Sequence, residues 1–329
     1  MSLEHLLKEQ VTRLIGADLE ACEASIEREL GSSVSLIREV GHYMAGAGGK
    51  RIRPILVLLS ARLAGYRGPR AVHLGCVVEL LHTATLMHDD VVDRAMLRRG
   101  HASANAKYGE DTSILVGDHF YSKSFALLVQ DNDQPVMETL ARATLSMTEA
   151  EVFQLEKKRE GNLTENDYLR IITLKTATFI SACCRIGALL GGASRAEVEA
   201  LAAYGLNVGI AFQIVDDSLD FIADEAVLGK AIGTDLREGK RTLPLIATLD
   251  RATPADREWI LEVLHHRQPL DGEIGKVRRL VMQYDGISYA LEQALSYAKS
   301  AKTHLANFPD SEEKDALALI SEYVVDRDR

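Results

Sequence analysis

Two stretches of this chain carry side chains whose types and spacing can do chemistry. One runs Glu79-Leu-Leu-His82-Thr-Ala84-Thr85-Leu-Met-His88-Asp89-Asp90-Val-Val-Asp93, the other Gln213-Ile-Val-Asp216-Asp217-Ser-Leu-Asp220. In each, an apolar helical run ends in Asp-Asp-x-x-Asp. The spacing puts the outer carboxylates on one helix face, a turn apart, where they repel unless a cation lies between them. Oxygen donors with no cysteine close by favour a hard cation such as Mg²⁺, which keeps waters and takes its other ligands from substrate phosphates. One such end alone reads equally well as a solvated acidic cap. Two of them, both following long apolar runs instead of opening a helix, imply several ions and a phosphorylated substrate, a diphosphate. The six metal candidates are Asp89, Asp90, Asp93, Asp216, Asp217 and Asp220.

Basic residues stand around these motifs. Glycines at 46, 48 and 49 break the chain just before Lys50, Arg51 and Arg53. Flexible backbone followed by cations suits a diphosphate, and a plain basic helix cap is the alternative. Arg51 is expected to point away, because neighbours on a turn diverge. Arg98 and Arg99 are adjacent, so they can serve two anions or form an ordinary basic loop. Lys175-Thr176 lies in mid-helix, where lysine usually snorkels to water. The threonine can bond its own backbone, bend the helix and free a carbonyl toward a developing cation. Lys230 and Lys240 sit in a glycine-punctuated stretch, 229–244, that reads as a loop closing over a site or as a solvated connection. His82 lies two turns before Asp89, on a face where a lone histidine is more often part of the core.

Together these stretches resemble the trans-prenyl diphosphate synthase family, nearest the long-chain octaprenyl type, and they match it in order from residue 48 to 244. The resemblance implies a Mg²⁺-dependent prenyltransferase that condenses isopentenyl diphosphate with an allylic diphosphate, repeatedly, to a long-chain all-trans product. By that resemblance Lys50, Arg53, His82 and Arg99 bind isopentenyl diphosphate, His82 as a hydrogen-bond donor. Arg98, Lys175, Lys230 and Lys240 bind the allylic diphosphate. Asp89, Asp93 and Asp216 hold the ions that make it a leaving group, while Thr176 and Gln213 stabilise the allylic cation. His88 is expected to be structural. Small residues at Thr85 and Ala84, one turn deeper than Asp89, leave room for a growing tail where shorter-chain relatives carry aromatic residues. Leu81 follows a turn below, and a rise of about 5.4 Å per turn is comparable to one isoprene unit. Phe125 is the candidate floor, with an ordinary core aromatic as the alternative. A terpene cyclase would lack the second diphosphate site, and a di-iron bundle would need Glu-x-x-His pairs. A regulatory subunit would carry degraded motifs.

The elements that must position these residues read as helices nearly throughout. Apolar spacing places them near 3–30, 32–46, 54–66, 69–93, 111–130, 134–160, 165–191, 195–223, 241–250, 254–265, 272–283, 286–306 and 311–326. Thr164 with Asp167 is an N-terminal capping pattern, and Ser311 opens the last helix. Pro54 is expected at the first position of its helix. No Gly-, Ser- or Pro-rich linker divides the chain. The expected fold is all-α: a large single-domain bundle, 1–329, around a deep central cavity, of the isoprenoid synthase type. Residues beyond 250 carry no motif.

Composition fits that reading. The 329 residues are 47% hydrophobic, and 38 basic against 48 acidic side chains leave a net charge of −10. So acidic a chain is a poor nucleic-acid binder. Cys22, Cys76, Cys183 and Cys184 form no Cys-x-x-Cys pair and read as core thiols in a reducing cytosol. Neither a secretory signal nor a membrane-length apolar run is evident, the longest, Phe179 to Ala193, being broken by Arg185. A cytoplasmic homodimer is the expected state.

Overall fold

A computed structural model of the chain describes residues 2–46, 48–222, 233–266 and 269–326. The architecture is all-α with one small hairpin. Residues group into two compact units. The first comprises Met1–Ala141, Ile180–Ala202 and Leu305–Ile320; the second, Arg142–Phe179, Ala203–His304 and Ser321–Arg329.

The first unit is organised on helix α4, Arg70–Val92. This helix is apolar almost all round, as a central helix must be, and packs against α1 (Leu3–Glu29), α3 (Ile52–Leu63) and α6 (Glu110–Asp131). Leu74, Val77, Val78, Leu80, Leu81, Ala84 and Met87 are all buried. Pro54 stands at the third position of α3, not the first; an amide there has no intrahelical partner, so proline is tolerated. Past α4 the chain makes strands β1 (Leu97–Arg98) and β2 (His101–Ala102), paired antiparallel with Arg98 opposite His101. Arg99 and Gly100 join them with φ of 51° and 78°, the double left-handed geometry of a type I′ hairpin turn. The sequence predicts only a loop at Arg98 and Arg99, so the hairpin is a departure from expectation.

The second unit holds the capping box as expected: Thr164 Oγ1 accepts from the Asp167 amide at 3.2 Å and Asp167 Oδ2 from the Thr164 amide at 3.1 Å. That box opens α8, Glu165–Ile172. A π-helical turn, Thr173–Ala177, follows, and then α9, Thr178–Leu190. Helix α10, Arg195–Ile222, ends in the second aspartate motif. The region without motifs is packed helix: Leu249, Ile260, Val263, Ile274, Val277 and Val281 form a buried cluster. By length and composition alone, Glu165–Leu190 and Arg195–Ile222 are apolar enough to cross a membrane, contrary to the reading of the sequence. Their apolar windows are 61% and 67% buried inside the protein, as core helices are.

Candidate active site

In the first unit, a cleft is lined by Tyr43, Arg51, Glu79, His82, Leu86, Arg98, Arg99 and Ser103, among others. Four elements build it: the helix Ser35–Gly46, the turn before α3, the second half of α4, and the hairpin with Ser103 after it. His82 is held neutral, its pKa well below the ordinary imidazole value, first by burial and then by Arg53, Arg99, Arg98 and Arg51. All four guanidinium groups act on this one ring; carboxylates offset Arg51 and Arg98, which leaves Arg53 and Arg99 to make the pocket attractive to an anion. Burial and neighbouring arginines also lower Arg99, and burial lowers Arg53, with Glu79 opposing. Lys50 lies exposed on the glycine turn beside them. Gly49 brings the chain close to two guanidinium groups: a Cβ on it would stand 2.9 Å from Arg99 Nη1 and 3.3 Å from Arg51 Nη1.

Arg51 does not point away as expected. It lines the cleft, and its guanidinium donates to Glu79 at 2.9 Å and along the other edge to Glu23. Spacing could not reveal this, since the partners lie 28 residues away on either side. Arg98, at the end of β1, and Arg99, in the turn, serve different places, Arg99 Nη1 lying beside Gly49. Arg98 reaches back to Asp90, with Nε 2.8 and 2.9 Å from the two carboxylate oxygens and Nη2 2.6 Å from Oδ1. Tyr43 pins the hairpin by donating to the Ala102 carbonyl at 2.6 Å.

Asp90 is therefore not placed like Asp89 and Asp93. It is fully buried on the inner face of α4 and serves as the anchor of Arg98, whereas its two neighbours are only half-buried. The second unit repeats the pattern. Asp216 is exposed, but Asp217 is buried and accepts from Tyr168 Oη at 2.7 Å and Gln213 Nε2 at 2.8 Å. Burial raises its pKa to about 6, against the pull of those hydrogen bonds. Asp220 is buried too, and its Oδ2 accepts the Asp235 amide at 3.0 Å. Asp90, Asp217 and Asp220 thus have partners within the protein, while Asp89, Asp93 and Asp216 are more accessible. Among the described residues, no three His, Cys, Asp or Glu side chains gather into a metal-holding set. An oxygen-only pair such as Asp89 and Asp93 fits a hard cation that takes its other ligands from water and phosphate, which is how Mg²⁺ binds.

Thr176 Oγ1 donates to Gln213 Oε1 at 2.9 Å, so the chain Thr176–Gln213–Asp217–Tyr168 fixes the orientation of the amide. Thr176 therefore does not bond its own backbone. The helix is opened instead by the π turn, where Thr178 donates its hydroxyl to the Thr173 carbonyl at 2.9 Å. π turns of this kind recur at functional sites. Lys175 pairs with Glu151, a partner no motif announced. Lys240 pairs with Glu238 at 2.7 Å, on a segment tied down by Lys158 at the Glu238 carbonyl and Arg241 at the Gly161 carbonyl. Lys230 lies outside the described residues. His88 Nε2 lies 3.3 Å from the Ile114 carbonyl and from Asp118 Oδ1. Of the chain-length candidates, Ala84 and Leu81 are wholly buried. Thr85 is half-buried, with its hydroxyl on the His82 carbonyl at 2.8 Å. Phe125 is half-buried against Tyr121, with ring centroids 5.1 Å apart.

Comparison with known proteins gives a consistent result. The polyprenyl synthetase family matches residues 34–281. The octaprenyl diphosphate synthase of Escherichia coli is 36% identical over 324 residues, covering 98% of this chain and 99% of that protein. A solved polyprenyl synthase from Caulobacter crescentus, complexed with calcium and isoprenyl diphosphate, superposes with a TM-score of 0.94. It is 38% identical, over 97% of each chain. A decaprenyl diphosphate synthase from Rhodobacter capsulatus superposes at 0.91 with 38% identity, over 98% of this chain and 99% of its own.

Proposed function

The chain belongs to the polyprenyl synthetase family, and from that premise we propose that it is a Mg²⁺-dependent trans-prenyltransferase. It joins isopentenyl diphosphate to an allylic diphosphate, repeatedly, up to a long all-trans chain. The observation that carries this reading is the cleft of the first unit, lined by Arg51, Arg98, Arg99 and His82, with Arg53 acting on the same histidine. Lys50, Arg53 and Arg99 there bind isopentenyl diphosphate, and His82, uncharged, donates one N–H to it. Arg98, Lys175 and Lys240, with Lys230, bind the allylic diphosphate. Asp89 and Asp93, together with Asp216, would hold the Mg²⁺ ions, which when bound offset the charge of the leaving diphosphate.

Gln213 and Thr176 face the developing allylic cation. Their mutual hydrogen bond commits the Thr176 proton to Gln213, leaving the lone pairs of the threonine oxygen for the positive carbon. The chain offers no obvious side-chain base, so the proton lost after condensation goes to the departing diphosphate. The full length, 1–329, acts as one synthase domain, as a homodimer in the cytosol and without nucleic acid. Four buried, unbridged cysteines suit that compartment.

The test is steady-state transfer from radiolabelled isopentenyl diphosphate to a farnesyl diphosphate primer with Mg²⁺, on the purified chain. Asp89→Ala and Asp216→Ala should cut turnover by orders of magnitude with helicity intact. Lys50→Ala and Arg53→Ala should raise KM for isopentenyl diphosphate, and Lys175→Ala that for the primer. Absence of transfer by the wild type overturns the reading. A rise in the same substrate's KM for all three lysine and arginine variants overturns the division into two sites.

A further inference from the structure

Glu79 has no part in that chemistry, yet it is a carboxylate 5% exposed in the wall of the cationic cleft. A negative charge there repels a diphosphate, so its presence calls for a physical reason. Glu79 lies one turn before His82 on α4, and its Oε1 accepts from Arg51 Nη1 at 2.9 Å. Glu23 takes the opposite edge of the same guanidinium through Nε and Nη2. Burial works against the charge of Arg51, but the hydrogen bonds to Glu23 and the charge of Glu79 raise its pKa overall. The two carboxylates thus use up the charge of Arg51, which makes it a poor ligand for substrate and a good strut.

Its backbone says the same. Arg51 caps α3 at φ 48° and ψ 32°, a left-handed conformation that an L side chain keeps only where its surroundings hold it. It stands between Lys50 and Arg53, so the direction of the chain from one to the other turns on that residue. Glu79 also acts favourably on the charges of Arg53 and Arg99, which otherwise repel each other and Arg51.

We propose that Glu79 is a positioning residue of the isopentenyl diphosphate site. Through Arg51 it fixes the left-handed turn that sets Lys50 against Arg53, and it keeps the guanidinium array assembled before the anion arrives. The inference rests on the prenyl-transfer reading for the identity of the anion. A counter-charge without a positioning role makes the opposite prediction, because removing it would strengthen anion binding.

Glu79→Asp keeps the charge but shortens the reach to Arg51. Glu79→Gln keeps the reach but removes the charge, and Arg51→Lys removes the planar fork. Each is assayed with either substrate varied, and binding of inorganic diphosphate is measured by calorimetry in parallel. Glu79→Asp and Arg51→Lys should each raise KM for isopentenyl diphosphate roughly tenfold, with the primer's KM within about twofold. The double variant should be no worse than either single one, as expected for residues acting as a unit. Glu79→Gln should raise the same KM. Wild-type behaviour of Glu79→Asp, or tighter binding by Glu79→Gln, overturns the proposal. If the Glu79 variants do not fold, Arg51→Lys decides by the same readout. A wild type that binds diphosphate but transfers no prenyl group would sink the functional reading instead, while calorimetry on the variants still tests Glu79.

Discussion

At the scale of single residues, the aspartates within each motif differ in what they touch. Spacing told that Asp89 and Asp93 share a face of α4. It could not tell that Asp90 turns inward onto Arg98, that Asp217 meets Tyr168, or that Asp220 takes the Asp235 amide. Those partners are distant in sequence or depend on a hairpin, and helical periodicity carries no information about them. His82 shows what the surroundings add. Its neutrality comes from burial and four guanidinium groups. Because its native pKa is lowered, the stability it contributes is complete above the ordinary imidazole value of about 6.5. That stability is lost as pH falls toward the native value, the unfolded chain taking up the proton first. An NMR titration of the substrate-free enzyme should find this ring still neutral at pH 6, where a free imidazole is mostly protonated. Adding inorganic diphosphate should raise its midpoint, since an anion offsets the arginines. A midpoint at or above 6.5 without any anion would rule out the arrangement described here.

At the scale of elements, the long helices were legible because their apolar spacing and caps agree. The helices Gln134–Glu160 and Pro254–His265 begin and end where the pattern places them. Two short features escaped. Strands β1 and β2 have two residues each, with none of the β-branched alternation that marks a strand, and Arg-Gly replaces the usual Asn-Gly at the turn. The π turn at Thr173–Ala177 is a shift of hydrogen-bond register, which leaves the surrounding apolar pattern intact. Helix α4 also refines the question of product length. Ala84 is wholly buried, so a phenylalanine there would crowd the core, at a cost of about 1–3 kcal/mol. Thr85 is only half-buried and is the cleaner position for the experiment. Thr85→Phe should shorten the product to a few isoprene units while sparing the first condensation, as read by chromatography of the dephosphorylated lipids. An unchanged chain length removes Thr85 from the path of the tail.

At the scale of the whole molecule, the order of motifs from residue 48 to 244 was enough to name the family, whose match extends over 34–281. The division into two compact units was not legible, because no linker marks it and each unit is assembled from separated segments. Net charge has a consequence of its own. The chain carries −10 overall, yet its arginine-lined cleft is locally cationic. A multiply anionic substrate approaching from afar meets a repulsive field and feels the guanidinium groups only at short range. Dissolved salt acts unequally on the two, since at about 0.1 M the Debye length is roughly 10 Å. Distant repulsion is screened out, while contacts at hydrogen-bond range are largely spared. Encounter between enzyme and isopentenyl diphosphate should therefore quicken as ionic strength rises from about 0.02 to 0.1 M at constant Mg²⁺. That is the reverse of electrostatic steering into a protein of opposite charge. Stopped-flow association rates would register it, and a steady decline across that range would mean that the cleft, not the net charge, governs the approach.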